Sequence, residues 1–204
     1  MNKEIIISGV VGFVLGILIA PVFTPMMPWG GQMMQRDSIT NTNQMMGQID
    51  SHFIEQMIPH HEDAITMANL ALTRAEHPEI KILSNSIIKS QSEEIDQMKQ
   101  WYKSWFGNEV PNLSSLTGQG MGMMMHNGMM GNETDVQALE NAKPFDKEFI
   151  EQMIPHHQMA VMMAQMLSRS TSRSEMKQLA ENIIEAQTKE INQMRGWYQD
   201  WYTQ

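Results

Sequence analysis

The chain has 204 residues, a formal charge of −9 and a pI near 5.2, a balance that excludes the basic patch a nucleic-acid partner requires. It contains no cysteine, which rules out both a disulfide framework and a thiolate metal site. Methionine is abundant instead, with 23 residues beside seven histidines.

Residues 1–24 pose a separate solvation problem. Ile5 to Phe23 is a run of 19 residues without a charge, close to the length that crosses roughly 30 Å of hydrocarbon at about 1.5 Å per residue. It reads as a signal peptide or an uncleaved anchor. The weakly basic start MNKE and the Ala20-Pro21 step suit cleavage poorly and favour an anchor in the inner membrane. Either way the rest of the chain is expected in the periplasm or another extracytoplasmic space. Residues 25–49 follow as a mobile Met-rich linker with Met26-Met27, Met33-Met34 and Met45-Met46.

The next segment announces a duplication. FIEQMIPHH stands at residues 53–61 and again at 149–157. Aligning 50–106 with 146–202 needs no gap, and 26 of the 57 positions are identical. The first repeat, residues 50–106, reads as a helical hairpin. In its first half Phe53, Met57, His60, Ala64, Met67 and Ala71 recur at spacings of 3 and 4, beside a second row of Ile54, Ile58, His61, Ile65 and Ala68. In its second half Ile80, Leu83, Ile87, Glu94, Met98, Trp101 and Trp105 do the same, with Pro78 near the start. Pro59 removes one helical hydrogen bond, so it either kinks a continuous helix or opens a new one; the unbroken apolar register favours the kink.

Residues 107–143 form a Met/Gly-rich linker carrying GQGMGMMMHNGMMGN, with a short helix expected near Thr134–Ala142. The second hairpin repeat, residues 144–204, follows; Ser172-x-x-Glu175 resembles a capping box at the start of its second helix. Each hairpin alone would leave its apolar face wet. The expected fold is therefore an all-α four-helix bundle made from two tandem hairpins, plus the N-terminal apolar helix. The aromatic endings WYKSWF and WYQDWY are expected to pack over its ends, with a cation–π contact to bound metal as the sharper alternative.

The chemistry concentrates on the inward rows. In the first repeat Met57, His60, His61 and Met67 lie on one helix, and Glu94 and Met98 on the facing one. The second repeat supplies Met153, His156, His157, Met163, Glu190 and Met194, and adds Met159, Met162 and Met166. A single inward histidine with methionine neighbours is ordinary core packing. Paired histidines, methionines and an inward glutamate recurring together point instead to metal, since a buried carboxylate is costly unless paired or bound to a cation. Thioether and imidazole without thiolate suit Cu(I), with Ag(I) as its mimic. Glu94, Glu190 and Met159 are possible additional ligands, as are Met121, Met124, Met125, His126 and Met129 of the linker. His52 and His77 are not repeated, being replaced by Glu148 and Arg173, and read as a polar-face residue and a surface turn residue.

The string F-I-x-x-M-I-P-H-H-x-x-A, a following M-A, and the later Q-x-x-E-I-x-Q-M-x-x-W-Y resemble domain-of-unknown-function family 305, a ferritin-like four-helix family. The resemblance covers residues 50–106 and 146–202. It implies exported Cu(I) binding in copper tolerance, with Met57, His60, His61, Met67, Met98, Met153, His156, His157, Met163 and Met194 as ligands, in subsets left open. The implied partners are copper ions and a copper exporter or other copper carrier. No enzymatic activity is expected. Two alternatives are weighed: a non-covalent haem held between His and Met, which leaves the surplus methionine unexplained, and a ferritin-like di-iron enzyme, for which the chain lacks any Glu-x-x-His pair.

Overall fold

The structure is a computed structural model that describes residues 36–111 and 136–203, with side chains from residue 48 onward. The charge-free run of residues 5–23 and most of the central linker lie outside the described residues. Among those described, no helix is long and apolar enough to cross a membrane.

Among the described residues, five helices carry the regular structure: α1 (Arg36–Arg74), α2 (Pro78–Phe106), α3 (Val136–Asn141), α4 (Phe145–Ser170) and α5 (Ser174–Tyr202). The short helix falls inside the range its sequence suggests. α1 starts earlier than the apolar rows indicate, so residues 36–49 of the expected linker are helical. That stretch is rich in Asn, Thr, Ser and Asp, but such a composition does not break a helix that a packed segment continues. α1 runs through Pro59 and α4 through Pro155, which removes the alternative of a fresh helix opening at the histidines.

The helix ends follow local chemistry. Pro78 occupies the first turn of α2, where its missing N–H removes nothing. Gly107 ends that helix with φ 76°, a left-handed conformation, and donates its N–H to the Lys103 carbonyl. The capping box does not form. α5 begins after Arg173, which is extended, and the Arg173 N–H donates to Thr171 Oγ1 at 3.1 Å. Ser172 thus sits one residue too early to cap.

Two apolar clusters fill the bundle, and each draws on all four long helices. One joins Phe53, Ile54, Met57 and Ile58 of α1 to Ile95, Met98 and Tyr102 of α2, and to Ala160, Ala164 and Leu167 of α4 and Met176, Leu179, Ala180 and Ile183 of α5. The other joins the second half of α1 to the first half of α4, with Ile80, Leu83 and Ile87 of α2, Met194 of α5 and Leu139 of α3. The early part of α1 therefore lies beside the late part of α4 and the reverse, so the two run antiparallel and the repeats are related by an approximate two-fold axis. Small residues (Ala64, Ala68, Ala160 and Ala164, all fully buried) let these helices approach closely.

Equivalent staples close both halves. Tyr102 donates its hydroxyl to Glu55 at 2.6 Å and Tyr198 donates to Glu151 at 2.6 Å. The aromatic endings pack as stacked Trp101–Trp105 and Trp197–Trp201 pairs. Protein groups lie on them: the Arg173 cation is 4.2 Å from the centre of the Trp105 ring, and the His77 ring stacks on Trp201 at 3.7 Å. Each of these is held by a buried aspartate from the other repeat. Asp50 accepts from Arg173 Nε at 3.1 Å, and Asp146 accepts from the His77 N–H at 2.8 Å, from the Glu76 N–H at 3.1 Å and from His77 Nδ1 at 2.6 Å. His77 is thus a structural contact between repeats and not a bland turn residue, whereas His52 is exposed beside Gln56.

The two aspartates are equivalent in sequence but not in energy. Removing Asp146 strands two backbone donors, while Arg173 can reach water if Asp50 is lost, and one Asp50 oxygen already lacks a partner. Asp146→Ala is therefore expected to cost roughly 2–4 kcal/mol and Asp50→Ala no more than about 1 kcal/mol. Urea unfolding of the two variants measures both; equal losses would contradict this assignment.

Candidate metal centre

The two His-His pairs meet where α1 and α4 cross. His60 and His156 are ring neighbours with centroids 3.7 Å apart, one from each repeat. They face each other across the approximate axis, while His61 and His157 turn toward the second helix of their own repeat. The 100° step between adjacent helical residues produces this division of labour.

His61 and His157 are fully buried. His61 Nε2 donates to Glu94 at 2.7 Å, and His157 Nε2 donates to Glu190 at 2.8 Å. With that nitrogen committed, the neutral form of either ring has its lone pair on Nδ1. In both residues Nδ1 is buried and has no hydrogen-bond partner. Buried polar atoms without partners are rare, and two at equivalent positions require an account. A carboxylate that fixes the far nitrogen of a buried imidazole is the arrangement by which metal-binding histidines are oriented. Glu94 and Glu190 thus sit behind the histidines, in the position of orienting groups.

His60 and His156 differ in their electrostatics. Burial, with the neighbouring His61 and His157 rings adding to it, pushes His60 down to about 3. Burial likewise holds His156 well below the ordinary range, helped by His60, His157 and His61. A backbone contact to His60 opposes that shift, but neither ring nitrogen of His156 makes a hydrogen bond of ordinary geometry. Both rings are therefore neutral lone-pair donors at any ordinary pH.

The methionines sort themselves in a way the sequence does not reveal. Met57 and Met98 are fully buried in one cluster together with Met176 of the second repeat, and the partly buried Met163, also of the second repeat, packs against that cluster. Met153 and Met194 are fully buried in the other cluster, joined by Met67 of the first repeat. Grouped by repeat in the sequence, Met67 and Met163 change places in the fold. Met159 is half-buried on α4. Met121, Met124, Met125, His126 and Met129 lie outside the described residues.

Among the described residues no three His, Asp or Glu side chains are placed to hold one ion. That fails the carboxylate-rich requirement of a di-iron centre. The histidines at the crossing and the methionines of the two clusters are the softer donor types that the bundle gathers.

The neutral His60 and His156 give the metal-free chain a pH dependence whose sign is fixed. In the unfolded chain both titrate near 6.5, and in the fold both stay uncharged to far lower pH. Stability is therefore fully kept above 6.5 and is lost as pH falls toward about 3, by up to about 1.4 kcal/mol per pH unit for each proton taken up on unfolding. Urea midpoints between pH 7 and 4.5 are expected to fall more steeply for the parent chain than for His60→Asn/His156→Asn; parallel curves would contradict the neutral pair.

Comparison with known proteins adds to this geometry. The structure is similar to CopM in its Cu(I)-bound form, at 49% sequence identity, with a TM-score of 0.64 over 75% of this chain and 97% of that one. It is also similar to CopM in its Cu(II)-bound form, at 52% identity and a TM-score of 0.67, covering 75% of this chain and 97% of that one. A secreted-type DUF305 protein from Streptomyces coelicolor is 27% identical, with a TM-score of 0.59 over 72% of this chain and 89% of its own. A stretch of 51 residues is 45% identical to uncharacterized protein L153 of Acanthamoeba polyphaga mimivirus, covering 25% of this chain but only 34% of that protein's length. The model of the domain-of-unknown-function family DUF305 matches residues 50–198, and the chain belongs to that family.

Proposed function

We propose that this chain is an extracytoplasmic Cu(I)-binding protein that sequesters copper or hands it on in copper tolerance, and that it is not an enzyme. The observation that carries the reading is the equivalent pair of buried imidazoles, His61 and His157, each tied through Nε2 to a glutamate and left with a free Nδ1. Similarity to CopM, whose structures hold Cu(I), Ag and Cu(II), supports it. Copper here is cargo, held by imidazole and thioether donors in the core, and the two approximate halves offer two places for it.

In this reading each place is completed across the repeats. His61 acts with Met57 and Met98 and borrows Met163; His157 acts with Met153 and Met194 and borrows Met67. His60 and His156 stand between the two. Soft thioethers select a monovalent copper ion over zinc, calcium or magnesium. Cysteine would serve the same ion but would oxidise in an exported compartment, where methionine forms no disulfide. A copper exporter or another copper carrier is the natural partner, with the apolar run of residues 5–23 holding the protein at the inner membrane.

Titration with Cu(I) against a competing chelator tests the reading. More than one ion is expected per chain, and changing His60, His61, His156 and His157 together to alanine should abolish the tight component. Equal tight binding by that variant would move the site into the Met-rich segments. A second prediction separates the exchanged methionines. In a His157→Ala background, Met163→Leu is expected to weaken the remaining tight site at least tenfold while Met67→Leu leaves it unchanged; the opposite pattern would restore grouping by repeat.

A further inference from the structure

One row of thioethers breaks the approximate symmetry. Along α4, His156, Met159, Met163 and Met166 follow at spacings of 3, 4 and 3, with Met162 beside them, so all lie on one side of the helix. The matching residues of α1 are His60, Asp63, Met67 and Leu70, with Thr66 at the side position. Three sulfurs, Met159, Met162 and Met166, therefore have no counterpart, and the packing of the bundle does not require them.

Exposure is graded along this row. Met166 is 63% exposed and Met162 is 48% exposed, while Met159 and Met163 are half-buried. Scattered exposed apolar side chains are normal on a protein surface. Here two of them lie a turn apart and lead inward to Met163, which packs against the cluster of Met57 and Met98. The row ends at His156, whose ring nitrogens are buried and unpartnered. The other half is closed at the same level. Met67 is fully buried there, and the short helix α3 adds the buried Leu139 to its cluster.

We propose that Met159, Met162 and Met166 form a solvent-facing site for Cu(I) or Ag(I), from which the ion passes through Met163 to the buried donors, so that the bundle loads from one side only. The inference rests on the reading of the buried residues as a Cu(I) site. The donors of the surface site are thioethers alone, with no imidazole among them. Thioethers are neutral and carry no proton to displace, so capture at the surface needs no deprotonation and ignores harder cations. The sulfurs stand one turn apart, which allows an ion to move between them by exchanging one ligand at a time.

The test uses the full chain with ¹³C-methyl methionine, resonances assigned by single Met→Leu substitutions, and Ag(I) as the probe below one equivalent. The Met159, Met162 and Met166 methyls are expected to shift or broaden together with those of Met57, Met98 and Met163. In Met162→Leu/Met166→Leu the surface response should be lost, and the buried methyls should respond more slowly but to the same end point. Buried methyls that move while the surface three do not would overturn the surface site and leave the buried reading intact. Surface methyls that move while the buried ones do not would leave the site standing and overturn the buried reading, and with it the onward passage. A silent spectrum would overturn both, and unchanged loading of the double variant would overturn the onward passage.

Discussion

His60 and His156 meet as tilted rings 3.7 Å apart where the two repeats cross, and so close a pair, with ring nitrogens shut off from water, is tolerated only if both are uncharged. That constraint organises what surrounds it. A charged imidazole at the crossing would repel its neighbour in a medium too apolar to screen it. Neutral rings instead let α1 and α4 approach on their alanines and bring two more histidines into the same buried layer. The glutamates then stay at the outer side of that layer, each joined to one histidine.

The exchange of Met67 and Met163 follows from the same crossing. Antiparallel packing of α1 on α4 carries residues beyond the histidine on one helix past residues before the histidine on the other. A methionine two turns after its own histidine pair is thereby delivered to the partner repeat's cluster. Each cluster thus draws methionines from both repeats.

The bundle and the inward rows were legible because helical periodicity records which residues face a core, and because the repeat states the pattern twice. Pro59 was readable for the same reason: an apolar register that persists through a proline implies that the helix persists as well. What lay beyond reach was mostly pairing between repeats, which leaves no trace in spacing. Nothing along the chain says that Met163 belongs with Met57, or that Asp146 gathers the backbone of Glu76 and His77 from the far end of the other hairpin. The failed capping box is a smaller case. Ser172 and Glu175 have the right spacing, but the helix starts one residue later, after Arg173, whose N–H is taken by Thr171. His77 was under-read for a related cause, since its stacking partner Trp201 is recognisable only once the ends of the two hairpins lie side by side.

The joining of two hairpins in one chain has a consequence for how such a molecule can change. Two separate copies of one hairpin would have to find each other, and any substitution would appear in both. A covalent link makes that encounter intramolecular, at an effective concentration that dilution does not lower. It also releases each half from being the image of the other. Arg173 opposite His77, and Thr66 and Leu70 opposite Met162 and Met166, are differences that a homodimer of identical hairpins could not hold. The duplicated fold thus has a front and a back, a directionality that strict two-fold symmetry forbids.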